Sequence, residues 1–283
     1  MTQGPFAVLG ATGAQGGAVV TALLERGAAV RGITRRTDSA AARRLSDAGV
    51  EVVAADLSDE ASVAAVFDGV SGAYALTTPF EEGPSAEIAQ GETIIAAASS
   101  ARVPHLVFSS VADADQHTGI PHFDSKAVVE QSLATSGLSY TIVGPTYFYD
   151  NLLSGLDDIK AGVLELAVPA DKGLQQLSRR DLGRFVAAIL LDPEPHRGAR
   201  IDIASDDPSP RRMAEVLAGA VGRPVNLVTD DPADIESEDM RAMFGFLSGG
   251  GYTVDIADLH ARFPDVGWQS FGDWVGTDLA AAL

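Results

Sequence analysis

The chain has 283 residues, 46% of them hydrophobic, enough for one large α/β domain or a domain with a smaller appendage. It holds no cysteine, which excludes disulfides, a thiolate metal site and a cysteine nucleophile. Its net charge of −19 repels nucleic acid and anionic membrane at long range. No apolar run reaches the roughly 20 residues that span a bilayer. The start, Met1-Thr2-Gln3-Gly4-Pro5, leads straight into a strand without a basic segment or cleavage region, so the expected location is the cytoplasm.

Phe6-Ala7-Val8-Leu9 is an apolar run that ends in Gly10-Ala11-Thr12-Gly13-Ala14-Gln15-Gly16-Gly17, and a helical pattern follows from Ala14 to Arg26. This reads as strand, tight turn, helix. Gly10 suits the turn, Gly13 lets a pyrophosphate approach the backbone, and Gly16 lets the helix lie against the strand. The first-turn amides of such a helix have no internal partners and favour a phosphate. The Gly-x-x-Gly-x-x-Gly spacing alone is loose, and its strand–turn–helix context gives it weight.

The second strand, Ala29 to Thr34, ends at Arg35-Arg36, with Asp38 close behind at a helix start. An acid at the Arg35 position would accept from a ribose 2′-OH, whereas an arginine accommodates a 2′-phosphate, so the reading is NADP over NAD. The plain alternative is a solvated pair at a helix entrance. Glu51 to Ala55 is the third strand. Asp56 after it can accept from an adenine amino group while Leu57 packs on the ring, or Asp56 is simply a cap. Ser58 is the cap candidate for the next helix, with Asp59 and Glu60 in its first turn.

Ala73 to Thr77 is the fourth strand, and Thr78-Pro79-Phe80 follows at the carboxyl edge, where open α/β sheets bind ligands. A helix runs from about Ser85 to Ala101, a fifth strand from His105 to Ser109, a polar loop from Val111 to Pro121, and a helix from His122 to Thr135, closed by Gly137. Ser139 to Val143 is the sixth strand, ending in Gly144-Pro145. Six alternations predict a Rossmann-type doubly wound parallel sheet over residues 1–150. Residues 151–283 are less regular and predict a smaller α+β substrate subdomain, a lid packed on the sheet edge and interleaved with the first part. Helix is expected over Asn151 to Lys160, Asp181 to Leu191 and Asp234 to Leu247, and strand over Val163 to Val168, Arg200 to Ala204 and Val225 to Val228. Ser209-Pro210 reads as a capped helix start, and Ser270-Phe271-Gly272-Asp273 as a capping box.

The chain has only three lysines, Lys126, Lys160 and Lys172. Lys126 follows His122 by four residues, so both lie on one helix face. In short-chain dehydrogenases a Tyr and a Lys take these places: the Lys holds the nicotinamide ribose and lowers the Tyr pKa. Here His122 stands for the Tyr. It is either the acid, since an imidazole titrates near pH 7, or a helix-start residue with Lys126 serving only the cofactor. Ser109 and Ser110 at the strand end either bond a substrate oxygen or close the turn. Tyr147 or Tyr149, in Tyr147-Phe148-Tyr149-Asp150-Asn151, either replaces the phenol and flanks a planar ligand or packs in the core. No Gly-x-Ser-x-Gly elbow occurs, and no His-x-x-x-His pair points to a metal.

These residues resemble the NmrA-like family of atypical short-chain dehydrogenase/reductase folds. The resemblance rests on the glycine turn, Thr34-Arg35, His122-Phe123-Asp124-Ser125-Lys126 and Pro145 to Leu153, with Met243-Phe244-Gly245-Phe246 and Trp268 to Trp274 near the end. It implies NADP(H) bound in the first half. Gly10, Ala11, Thr12, Gly13, Ala14, Gln15 and Gly16 would cradle it. Arg35 would meet the 2′-phosphate, Asp56 and Leu57 the adenine, and Lys126 the nicotinamide end. Thr77 and Thr78, and Pro145, Phe148, Tyr149 and Asn151, would line the two later loops. The family holds both dinucleotide sensors and reductases of quinones, enones or other carbonyls. The expected function is therefore an NADPH-dependent reductase of a small carbonyl, quinone or enone, with Lys126, His122, Tyr147 and Ser110 as its catalytic candidates. The alternative is a non-catalytic redox sensor. A small-molecule substrate is the expected partner, and a homodimer or a regulatory protein partner stays open.

Overall fold

The computed structural model describes residues 4–78 and 82–283. Pro79 and Phe80 of the loop after the fourth strand lie outside the described residues, as do Met1 to Gln3. In chain order the elements are β1 (Phe6–Leu9), α1 (Ala14–Glu25), β2 (Val30–Thr34), α2 (Ala40–Asp47), β3 (Glu51–Ala54), α3 (Glu60–Phe67), β4 (Gly72–Leu76), α4 (Pro84–Ser100), β5 (Leu106–Ser109), α5 (Pro121–Thr135) and β6 (Tyr140–Pro145). The second half continues with β7 (Tyr147–Phe148), α6 (Leu156–Ala161), β8 (Val163–Glu165), β9 (Gln176–Leu177), α7 (Arg179–Leu191), β10 (Ala199–Ile203), α8 (Pro210–Val221), β11 (Asn226–Val228), α9 (Glu238–Ser248), α10 (Ile256–Arg262) and α11 (Phe271–Trp274).

Among the described residues seven strands form the central sheet, in the order β10-β6-β5-β4-β1-β2-β3. The pairs from β3 across to β6 are parallel, with Phe6 level with Val30 on one side and Gly72 on the other. Gly198 N–H donates to Tyr140 O and Thr146 N–H to Ile203 O, so β10 runs the same way along β6. This is the Rossmann arrangement, with the order reversing between β1 and β4. The seventh strand comes from the half expected to be irregular.

The chain divides into two compact units. One comprises the chain through His117, Pro121–Gly144 and Leu182–Ile201; the other comprises Thr118–Ile120, Pro145–Asp181 and Asp202–Leu283. In the first unit Leu9, Phe67, Ile94, Leu106 and Phe108 are buried in one apolar core. Two glycines let its helices close up. A Cβ on Gly91 of α4 would fall 2.5 Å from Val129 Cγ2 of α5, and one on Gly183 of α7 would fall 2.3 Å from Ala18 O of α1. Leu182, Phe185, Val186, Ile189 and Leu190, the apolar stripe of α7, are all buried. In the second unit the pairs β7–β9 and β8–β11 are parallel, and Tyr149 packs against Phe271 and Trp274, both ring centroids 5.5 Å away.

Several boundaries differ from expectation for local reasons. Ser58 is not the cap of α3: Asp59 is, accepting from Ala61 N–H at 3.0 Å. The Ser58 hydroxyl and amide both turn back to Asp56. Asn151 to Lys160 is not one helix but a 3₁₀ turn, Tyr149–Gly155, then α6 from Leu156. Asp234 belongs to a 3₁₀ turn, and α9 starts at Glu238 under a Ser237 cap. Ser209 caps α8 and Ser270 and Asp273 form the capping box, as their spacing implies. No helix among the described residues is long and apolar enough to cross a membrane.

Candidate cofactor site

The site begins where β1 ends. All four β1 side chains are buried, so the strand is fixed in the sheet and the chain must turn at its carboxyl end. Gly10 makes the turn at φ +62°, a region that L side chains avoid. Gly13 N–H donates to Gly10 O at 2.8 Å, and Ala11 N–H to Ile33 O at 3.1 Å. A Cβ on Gly16 would lie 2.3 Å from Gly10 O, so glycine there lets α1 descend onto the turn. Gly13 is the N-cap of α1, and no side chain caps that helix. Its first-turn amides therefore carry partial positive charge with no side-chain oxygen against them.

This turn opens on a cavity of about 690 Å³ within the first unit, at the carboxyl ends of the strands beside the reversal in sheet order. Gly10, Thr12, Gly13, Ala14, Gln15 and Gly16 line it from the first turn, and Thr34 and Arg35 from the end of β2. Asp56, Leu57, Thr77 and Thr78 line it from the ends of β3 and β4. Ala11 is fully buried and is not among the described lining residues. Gln15 Oε1 accepts from Tyr74 Oη at 3.1 Å and Ser109 Oγ at 2.9 Å, which ties the start of α1 to β4 and β5. The amide and hydroxyl of Ser58 hold the Asp56 carboxyl below the usual carboxylate range. Gln90 of α4 also lines the cavity, and its buried Oε1 has no hydrogen-bond partner.

Lys126, His122 and Ser110 are not among the described lining residues. Lys126 lies one hydrogen bond behind the wall: its Nζ donates to Thr77 O at 3.2 Å and to Glu87 Oε1 at 2.7 Å. Glu87, fully buried on α4, also accepts from Thr77 Oγ1 at 2.9 Å and Ser125 Oγ at 2.5 Å. An ammonium has three donors, so these bonds leave Lys126 one N–H. The Ser110 hydroxyl donates to Glu130. Glu130 in turn accepts from Arg200 Nε at 2.9 Å. The buried His122 ring meets Phe123 edge-on at 4.7 Å.

In the second unit, Tyr147 and Asn151 line a cavity of about 320 Å³. Burial pushes the Tyr147 phenol up to about 12, against a bond with Asn151 that lowers it. The Tyr147 ring meets Phe244 at 6.3 Å. Pro145 is buried and Phe148 half-buried. Tyr149 is core: it is fully buried and its phenol donates to Gln269 O at 3.1 Å.

The fold and this turn invite comparison with known proteins. The sequence model of the NmrA-like family matches residues 2–244. The chain belongs to the NmrA-like family. Among the family's oxidoreductases, FrzB of Cladobotryum sp. is 31% identical, over 87% of this chain and 85% of its own. Two solved structures share the fold. The NADPH-dependent quinone oxidoreductase QOR2 of Escherichia coli, complexed with NADPH, superposes with TM-score 0.81 at 24% identity, over 96% of this chain and 98% of that one. NmrA, a negative transcriptional regulator in complex with NADP, gives 0.80 at 20% identity, over 96% and 94%.

Three residues of this NmrA-like chain escape a reading of its sequence. Glu87, Glu130 and Gln90 look like ordinary polar positions on helices. Glu87 and Glu130 bond to residues far along the chain and Gln90 Oε1 has no partner, so only the fold reveals two buried carboxylates and an orphaned amide oxygen. The one sequence clue to Glu87 is the rarity of lysine, which makes a buried counter-charge for Lys126 worth seeking.

Proposed function

We propose that the chain is an NADPH-dependent reductase of the atypical short-chain type, acting on a small carbonyl, quinone or enone. The observation that carries this reading is the cavity at the β1–α1 turn, built on an uncapped helix start, with Arg35 where an NAD reader places an acid. The wall fits a dinucleotide: no side chain caps the first-turn amides of α1, and Gln90 Oε1 waits for a donor. The NADPH and NADP complexes of two proteins of the same fold add support.

In this reading the amides of Gly13 to Gly16 bind the pyrophosphate, Arg35 the 2′-phosphate, and Asp56 with Leu57 the adenine. When bound, the nicotinamide supplies a hydride. Lys126 acts through Thr77: held by Glu87, it fixes the wall at the end of β4 and keeps one N–H for the ribose side. His122 holds the proton that a substrate oxygen would take.

Calorimetry with NADPH and NADH tests the binding half, and Arg35→Ala should weaken NADPH far more than NADH. Loss of NADPH absorbance with a panel of quinones, enones and carbonyls tests turnover. A second reading, a sensor that binds without turnover, draws on two observations: the Ser110 hydroxyl is committed to Glu130, and the Lys126 charge is matched by Glu87. NADPH binding with no consumption across the panel would select it.

A further inference from the structure

The second unit carries a cavity that the dinucleotide reading does not use. Its volume is about 320 Å³. Leu152, Ile159 and Leu164, all buried, form its apolar side. Tyr147 and Phe244, in edge contact at 6.3 Å, supply two aromatic rings. Its polar side is of one sign: Asp158, Glu165 and Asp230 line it, and among the described residues no lysine or arginine does.

The fold forces these acids together. β8 and β11 pair in parallel with Glu165 level with Val228, and Asp230, two residues beyond the end of β11, hydrogen-bonds with the Glu165 carboxyl. Asp158 arrives from the first turn of α6. A hydrogen bond with Asp230 and the like charges of Asp230 and Asp158 push the Glu165 carboxyl above its usual range. Crowded carboxylates beside two aromatic rings are a mismatch that a ligand can relieve. Carboxylates attract a cation by charge, and the rings attract it through their quadrupoles. The apolar side rejects a hydrated inorganic ion and rewards a hydrocarbon body. The chain's net charge of −19 raises the local concentration of cations further.

We infer that this cavity is a binding site for a small apolar organic cation, such as a protonated arylalkylamine or a quaternary aromatic nitrogen, held by Asp158, Glu165 and Asp230 against Tyr147 and Phe244. The claim stands apart from the hydride reading and is tested without nucleotide. The full chain is titrated calorimetrically with the N-methylquinolinium cation and, above neutral pH, with neutral quinoline. The cation binds about tenfold or more tightly than quinoline. Glu165→Gln and Asp230→Asn each weaken the cation by about threefold to tenfold. Both variants leave quinoline affinity unchanged and do not lower the thermal midpoint, since each removes a like charge. Equal affinity for cation and quinoline would overturn the inference, as would carboxamide variants that bind the cation like the parent. Displacement of the probe by an equal concentration of calcium would also overturn it, by making the site inorganic.

Discussion

Arg35 and Glu87 make opposite cases at the scale of single residues. Arg35 is exposed on the cavity wall, and its value lies in what it meets there. A charge-assisted Arg–phosphate contact contributes about 1.5–3 kcal/mol. Arg35→Ala should therefore cost NADPH affinity roughly tenfold or more and leave NADH nearly unchanged by calorimetry; equal losses would remove Arg35 as the phosphate reader. Glu87 is fully buried and its value is internal. Glu87→Ala would leave the Lys126 ammonium, Thr77 and Ser125 without a shared acceptor. Breaking a buried pair from one side costs about 3–5 kcal/mol, and urea unfolding should show a loss of that order. The place of Arg35 on the cavity wall is legible in the sequence because it directly follows a strand. Glu87 was not, because its burial depends on Lys126, 39 residues away.

Among the elements, the caps separate what local chemistry decides from what packing decides. Ser209 and the Ser270–Asp273 box are recognised from their own neighbours, and the structure has both. At α3 the sequence offers Asp56 and Ser58, and the structure caps with Asp59 instead. Asp56 takes the Ser58 amide and hydroxyl, which leaves Asp59 to cap. Asp59→Ala should cost about 0.5–2 kcal/mol in thermal unfolding. Ser58→Ala should stay within about 0.5 kcal/mol, as for an ordinary surface change. A larger loss at Ser58 than at Asp59 would reverse the assignment. The strands of the first half were readable because alternation with helices marks each of them. β10 was read as a strand, but its place beside β6 was not, because strand neighbours are a property of the sheet.

For the whole molecule, His105 is one source of acid sensitivity. It is buried, with Nδ1 2.8 Å from Ser139 Oγ and Nε2 2.9 Å from Thr141 Oγ1. Thr141 donates its own proton to His196 O at 2.8 Å, so its oxygen accepts from Nε2–H. Burial first, then the charges of Arg197 and His196, push the imidazole from 6.5 down to about 4, against Glu194. Between those values the unfolded chain binds the proton and the folded chain does not. Stability is thus full above about 6.5 and falls as pH drops toward about 4. Melting temperatures across that window should fall less steeply in His105→Gln, and an unchanged slope would assign the acid sensitivity elsewhere. Leu182–Ile201 returns to the first unit only after Pro145–Asp181 has been laid down in the second, and Gly183 then seats against Ala18. A ribosome stalled just past Gly144 therefore presents a nascent first unit open to proteases, and one stalled with Ile201 clear of the exit tunnel presents a resistant one.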